Sequence, residues 1–210
     1  MDKQFDAVYI DKELKEMGAR VKKPLNIYLI GGCAMSFRKL KATTKDMDIV
    51  FKNKEDYDLF CDALFGAQYH QPVVVTNEYK KLMPTQVYEN KDGFHLDLFV
   101  GHVMQKLSIS KSMIKRAELY KKYQDLTIYL ISKPDIFLFK GLASEARKRD
   151  LPDMEVLYPN LDWKTILNEL ESQKLSEHLI DLFISRLEEF NRTYNLDVPI
   201  LSKLKKMLEK

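Results

Sequence analysis

The sequence is poor in cysteine and in net charge, and it lacks any long apolar run. Only two cysteines, Cys33 and Cys61, occur in 210 residues. Each has apolar neighbours and neither belongs to a CxxC pair, which excludes a disulfide framework and points to buried, reduced thiols. His70, His102 and His178 have no metal-ligand spacing to either cysteine. The formal net charge is +3, which permits nucleic-acid contact but does not argue for it. No apolar run approaches the ~18–20 residues of a membrane span. Asp2 and Asp6 stand at an N-terminus without an apolar stretch, so no signal peptide is expected and the expected location is cytoplasmic. There is no Walker-type loop and no GxSxG, and neither repeats nor a low-complexity linker are present.

What the chain has is enough apolar residue for a real core, 45% of the total, with 31% charged residues for its surface. Apolar spacing predicts a first helix over 5–18, a strand over 25–30 (LNIYLI), a short helix over 33–40, a strand over 47–51 and a helix over 54–66. Residues 86–89 and 94–100 flank Asn90-Lys91-Asp92-Gly93, a hairpin signal. Residues 108–122 read as a basic helix carrying Lys111, Lys115, Arg116, Lys121 and Lys122 with Tyr120 and Tyr123. Such a stretch is ordinarily a solvated face; its sharper reading is a polyanion contact. Residues 126–131 (LTIYLI) read as another strand. From Pro134 onward the pattern is helical, near 137–142, 161–172, 177–191 and 198–209. Mixed α and β followed by helices alone predicts an α+β chain in two parts, 1–132 and a helical 133–210 packed on it.

The chemistry concentrates between Ile30 and Phe51. Gly31-Gly32 closes one apolar run, and Asp46-x-Asp48 heads the next. A strand has a side-chain period of two, so both carboxylates leave it on one face. Paired acids repel unless a cation joins them or one takes a proton. A Gly-Gly turn admits a ligand close to the backbone, and a helix starting there favours an anion such as phosphate. Asp46 and Asp48 can hold Mg²⁺ through oxygen, with phosphate oxygens completing the shell. Asp97, isolated in the apolar run His95–Phe99, offers a third carboxylate, and His95 shares its strand face. With two metals bound, three carboxylates could serve both the attacking and the leaving oxygen.

Gly-Gly, a spacer, Asp-x-Asp before apolar residues and a later apolar-Asp-apolar strand resemble the polymerase-beta-type nucleotidyltransferase superfamily. More narrowly they resemble small prokaryotic nucleotidyltransferases related to abortive-infection, toxin–antitoxin proteins. The resemblance implies a nucleotidyltransferase-like mixed β-sheet flanked by helices, followed by a helical C-terminal half. It implies that Gly31 and Gly32 contact NTP phosphates, that Asp46, Asp48 and Asp97 bind metal, and that Asp97 also serves as base. It extends to Lys140, Arg147, Arg149, Asp150 and Asp153, with Lys140 and Arg149 as phosphate contacts. From the residues alone, Lys140 reads as a solvated or snorkelling lysine in a helix and Asp150-Leu-Pro-Asp153 as a helix start. Lys45 stands directly before Asp46, where relatives often place Ser or Thr; Thr43 and Thr44 lie just upstream. The implied activity is Mg²⁺-dependent transfer of a nucleoside monophosphate from an NTP to a hydroxyl of RNA, protein or a small molecule, as in toxin-type enzymes. The nucleotide is the implied partner, with RNA or a cognate antitoxin-like protein as further candidates. The alternative is a non-catalytic nucleotide-sensing or partner-binding module of the same fold.

Overall fold

Six of the chain's strands form one mixed sheet, because their β-branched and aromatic runs need a partner on both edges and a cover on at least one face. The protein is described by a computed structural model over residues 3–72, 83–103, 106–143 and 150–208. In chain order the first elements are β1 (Phe5–Asp6), α1 (Ala7–Gly18), β2 (Leu25–Leu29), α2 (Gly31–Phe37), β3 (Thr43–Thr44), β4 (Asp46–Phe51) and α3 (Lys54–Gly66). There follow β5 (Gln86–Glu89), β6 (His95–Val100), β7 (His102–Val103), β8 (Leu107–Ser108), α4 (Lys111–Arg116), β9 (Glu118–Tyr123) and β10 (Leu126–Leu130). The last elements are all helical: α5 (Lys133–Gly141), α6 (Asp150–Leu157), α7 (Trp163–Gln173), α8 (Glu177–Tyr194) and α9 (Leu201–Leu208). The contacts divide these into two units, Met1–Ser132 and Lys133–Lys210.

In the first unit the sheet order is β5-β6-β4-β2-β10-β9. The central pairs β4–β6 and β2–β10 are parallel, while β2–β4, β5–β6 and β9–β10 are antiparallel. Met47, Ile49 and Phe51 on β4 are fully buried on one face, and Phe51 meets Phe60 of α3 at 5.2 Å between ring centres. Helix starts follow local chemistry: Asp6, Asn53 and Ser110 accept from the amides of Tyr9, Asp56 and Met113 to cap α1, α3 and α4. The second unit is built on an aromatic cluster in which Phe137 lies edge-on to Trp163 and Phe190 at 5.3 and 5.9 Å. Among the described residues no helix is long and apolar enough to cross a membrane.

The basic stretch 108–122 is not one helix. Only Lys111–Arg116 is helical; Ala117 turns to an extended backbone, ψ 138°, and Glu118–Tyr123 joins the sheet as an edge strand against β10. The sequence ELYKKY has no apolar alternation because an edge strand exposes much of both faces, so its charges mimic a solvated helix. The register shifts between Ile128 and Tyr129, leaving Tyr120 as the extra residue of a bulge. Tyr120 stacks on Phe37 at 4.2 Å and donates its hydroxyl to Asp11, and Lys121 reaches the same carboxylate at 2.8 Å. Lys121 and Tyr120 therefore tie β9 to α1 and α2.

The hairpin turn carries a structural load through Asn90. Its amide nitrogen donates to the Tyr9 hydroxyl at 2.8 Å, to Glu13 at 3.1 Å and to the Tyr69 hydroxyl at 3.3 Å. Its oxygen accepts from the amides of Asp92 and Phe94. Burial and the hydrogen bond to Glu13 push the Tyr69 hydroxyl well up, so it stays a donor. Asn90→Ala strands several of these groups at once. Urea unfolding should show a loss of about 2–3 kcal/mol; a change under about 0.5 kcal/mol would mean that the network is incidental.

Candidate functional site

The site grows from the pairing of β4 with β6. Their parallel register sets Asp48 opposite Asp97 and Asp46 opposite His95. Residues paired in this way share a face, with the strands about 4.8 Å apart. Asp46, Asp48 and Asp97 therefore converge on one side of the sheet. Asp46 and Asp48 are half-buried and Asp97 is fully buried. Two residues further along the same face, Val50 and Phe99 are both buried, so the acids occupy only the N-terminal end of these strands. His95 sits at the sheet's other flank of this row, its Nε2 3.3 Å from Glu89 of β5.

Gly31 and Gly32 close over the acids from the neighbouring strand. The Ile30 amide donates to the Asp48 carbonyl at 3.1 Å, which carries the chain to the edge of the Asp48 side chain. Gly31 has φ +62°, and a Cβ there would run into the Asp48 carboxylate. Both facts demand glycine. A Cβ at Gly32 would stand 2.6 Å from the Thr44 hydroxyl and 3.7 Å from Lys41 Nζ. Thr44 is buried, and its hydroxyl lies 3.4 Å from Asp46 Oδ1. Helix α2 starts at this turn with no side-chain cap on its first amides. Beneath it, Cys33 is fully buried; burial pushes its thiol well up, and the charges of Asp48 and Asp46 push in the same direction. It is thus an inert packing group.

Thr44, noted in the sequence just upstream of Asp46, is thus brought to the site, and its period-two spacing from Asp46 is the signal for it. Lys41 is absent from the candidates that the sequence suggests, because its approach to Gly32 depends on how the chain returns from α2 to β3.

The remaining candidates belong to the second unit. Lys140, in the second unit, is buried and its Nζ lies 3.0 Å from Asp150 and 2.7 Å from Asp153. Burial alone would lower its affinity for a proton, but the charges of Asp150 and Asp153 outweigh that and push the ammonium up. It is neither a solvated lysine nor one without partners. Asp150 and Asp153 open α6 and both pair with Lys140. Arg147 and Arg149 lie outside the described residues. Among the described residues, no three His, Cys, Asp or Glu side chains come together as a ready metal cage.

Comparison with solved structures gives an overlay on an antigenic nucleotidyltransferase-like protein from Paracoccidioides brasiliensis. It has a TM-score of 0.50 at 13% identity, and covers 97% of this chain and 95% of that one. The fold is nucleotidyltransferase-like. JHP933 from Helicobacter pylori overlays at a TM-score of 0.44 and 15% identity, over 96% of this chain and 94% of that one. The lincosamide antibiotic adenylyltransferase LnuA, bound to lincomycin, overlays at 0.41 and 17%, over 67% and 86%. No family model and no curated protein matches the sequence. The nucleotidyltransferase-like fold accounts for the mixed sheet; the roles of individual residues rest on the geometry above.

Two substitutions test that geometry. Gly31→Ala forces a left-handed alanine against the Asp48 carboxylate and should cost about 1–3 kcal/mol in denaturant unfolding; an unchanged midpoint would contradict the close approach. Lys140→Met leaves two buried carboxylates without their cation and should cost about 3–5 kcal/mol. Adding Asp150→Asn and Asp153→Asn should restore much of that loss. For the wild type, the raised Lys140 ammonium contributes stability in full below its unfolded pKa and loses it as pH rises through the folded one. The lysine-dependent part should therefore fade only in strongly alkaline buffer.

Proposed function

We propose that this chain is a Mg²⁺-dependent nucleotidyltransferase. The observation that carries the reading is the register of Asp48 against Asp97, with Asp46 two residues away on the same face and the Gly31-Gly32 turn closed over Asp48. The donor set is all hard oxygen. Mg²⁺ keeps several ligand positions for water and phosphate and needs only one or two protein carboxylates, so these residues suit it without forming a closed cage. Asp46, Asp48 and Asp97 would hold the metal, two ions when an NTP is present, and its chemistry there is neutralisation of phosphate charge.

The chain's own residues do the rest. The Gly31-Gly32 backbone receives the β- and γ-phosphates, since no side chain blocks it. An acceptor hydroxyl attacks the α-phosphorus; the new P–O bond forms as the bond to the bridging α,β-oxygen breaks, and pyrophosphate leaves with that electron pair. The hydroxyl proton passes to Asp97. Arg149 balances phosphate charge, while Lys140 acts as the internal counter-ion of Asp150 and Asp153. The acceptor hydroxyl belongs to an RNA, a protein or a small molecule, and toxin-type modification of a cellular target is one use of such a reaction.

The test is incubation of wild type and Asp48→Asn with each α-labelled NTP, Mg²⁺ and a cell extract. Wild type should label a discrete species. The variant should melt as wild type does and lose at least about 100-fold in transfer. Transfer at the wild-type rate in Asp48→Asn would sink the assignment. NTP binding without any labelled product would make the chain a nucleotide-sensing module instead.

A further inference from the structure

We infer that Lys41 is the cation that grips the triphosphate at the Gly31-Gly32 turn, and that it makes this site prefer a triphosphate over a monophosphate. The inference rests on the nucleotidyl-transfer reading of the site and adds to it a residue that the sequence pattern does not mark.

The position is the first argument. Lys41 Nζ lies 3.7 Å from the point where a Gly32 side chain would begin, and the Thr44 hydroxyl is 2.6 Å from the same point. Gly32 is buried, whereas Lys41 is half-buried. An ammonium is thus held beside the backbone segment that a phosphate group would approach, with no Cβ between them. A lysine has three donors, so it can keep a protein partner and still donate to a phosphate oxygen.

Charge is the second argument. Asp46 and Asp48 stand at this turn, and a triphosphate brings about four more negative charges to the same place. Such an approach needs positive charge from the protein as well as from metal. Three other cations of the chain hold protein partners in the structure. Arg38 donates to the Ala34 and Leu130 carbonyls and pairs with Glu118 at 3.2 Å. Lys121 is held by Asp11, and Lys140 is held by Asp150 and Asp153. The Lys41 ammonium stands at the turn itself.

The third argument is connection. Thr44 packs on the same face of Gly32 and its hydroxyl contacts Asp46. Lys41, Gly32, Thr44 and Asp46 thus form one continuous patch that runs from the phosphate-binding end to the metal-binding end of the proposed site.

The experiment is titration calorimetry of wild type, Lys41→Met and Lys41→Arg with Mg²⁺ and, in turn, ATP, GTP, CTP, UTP, AMP and inorganic tripolyphosphate. Lys41→Met keeps the apolar stem and removes the charge, and melting curves check that both variants are folded. Wild type should bind tripolyphosphate and at least one NTP. Lys41→Met should weaken both by about tenfold, the size of one charge-assisted hydrogen bond, and leave AMP binding unchanged. Lys41→Arg should recover most of the loss, which a purely structural lysine would not do selectively for triphosphates. Equal affinity of wild type and Lys41→Met for tripolyphosphate and for the NTP would overturn the role of Lys41 while leaving the proposed function standing. If wild type binds neither probe, the proposed function falls and the role of Lys41 falls with it.

Discussion

Side chains on neighbouring parallel strands keep company only if the register holds. β4 and β6 pair so that Asp48 faces Asp97 and Asp46 faces His95. A slip of one residue would turn one strand's acids into the apolar layer where Ile49 and Leu98 lie buried. The core on the opposite face, where Phe51 packs on Phe60, therefore specifies the site as firmly as the carboxylates themselves do. Gly31 adds a second constraint from β2's end, because the Asp48 carboxylate occupies the space that any other residue would need. Acid pair, third acid and glycine turn are thus one mechanical unit.

The two units of the chain treat buried charge in opposite ways. In Lys133–Lys210, Lys140 is matched by Asp150 and Asp153 and closes the end of α5 onto the start of α6. Breaking such a cluster is expensive, but an intact one is a frame rather than a chemical device. In Met1–Ser132, three acids gather on one sheet face beside a glycine turn, with one lysine ammonium and one hydroxyl at its edge. Under the proposed reading this patch would receive a polyanion and a divalent cation together.

Short apolar runs made β2, β4, β6 and β10 legible in the sequence, and Asn90-Lys91-Asp92-Gly93 announced the β5–β6 hairpin. Period-two geometry placed Asp46 and Asp48 on one face, and isolation in an apolar run singled out Asp97. Local pattern could not supply the register between β4 and β6, which depends on packing against α3. It failed at Glu118–Tyr123, where an edge strand exposes both faces and its lysines resemble those of a solvated helix. It also passed over Lys41, whose place beside Gly32 is set by the path of the chain between α2 and β3. Local pattern thus singled out the acids and the glycines that the fold brings together, whereas the approach of Lys41 to Gly32 is a product of tertiary return.

The contact between Gly31 and Asp48 has a thermodynamic consequence under the proposed reading. Phosphate would bind the turn, and metal would bind the carboxylate that touches it. Any displacement of the turn moves Asp48, and any pull on Asp48 moves the turn, since the space between them is already filled. Two ligands that bias one shared arrangement must change each other's affinity by the same factor. Their opposite charges and the continuous patch from Lys41 to Asp46 make that coupling favourable. A chain built in this way has little reason to form a closed metal cage in advance. Under that reading it would hold the donors on the register of β4 and β6, with the shell left open for the nucleotide's own oxygens.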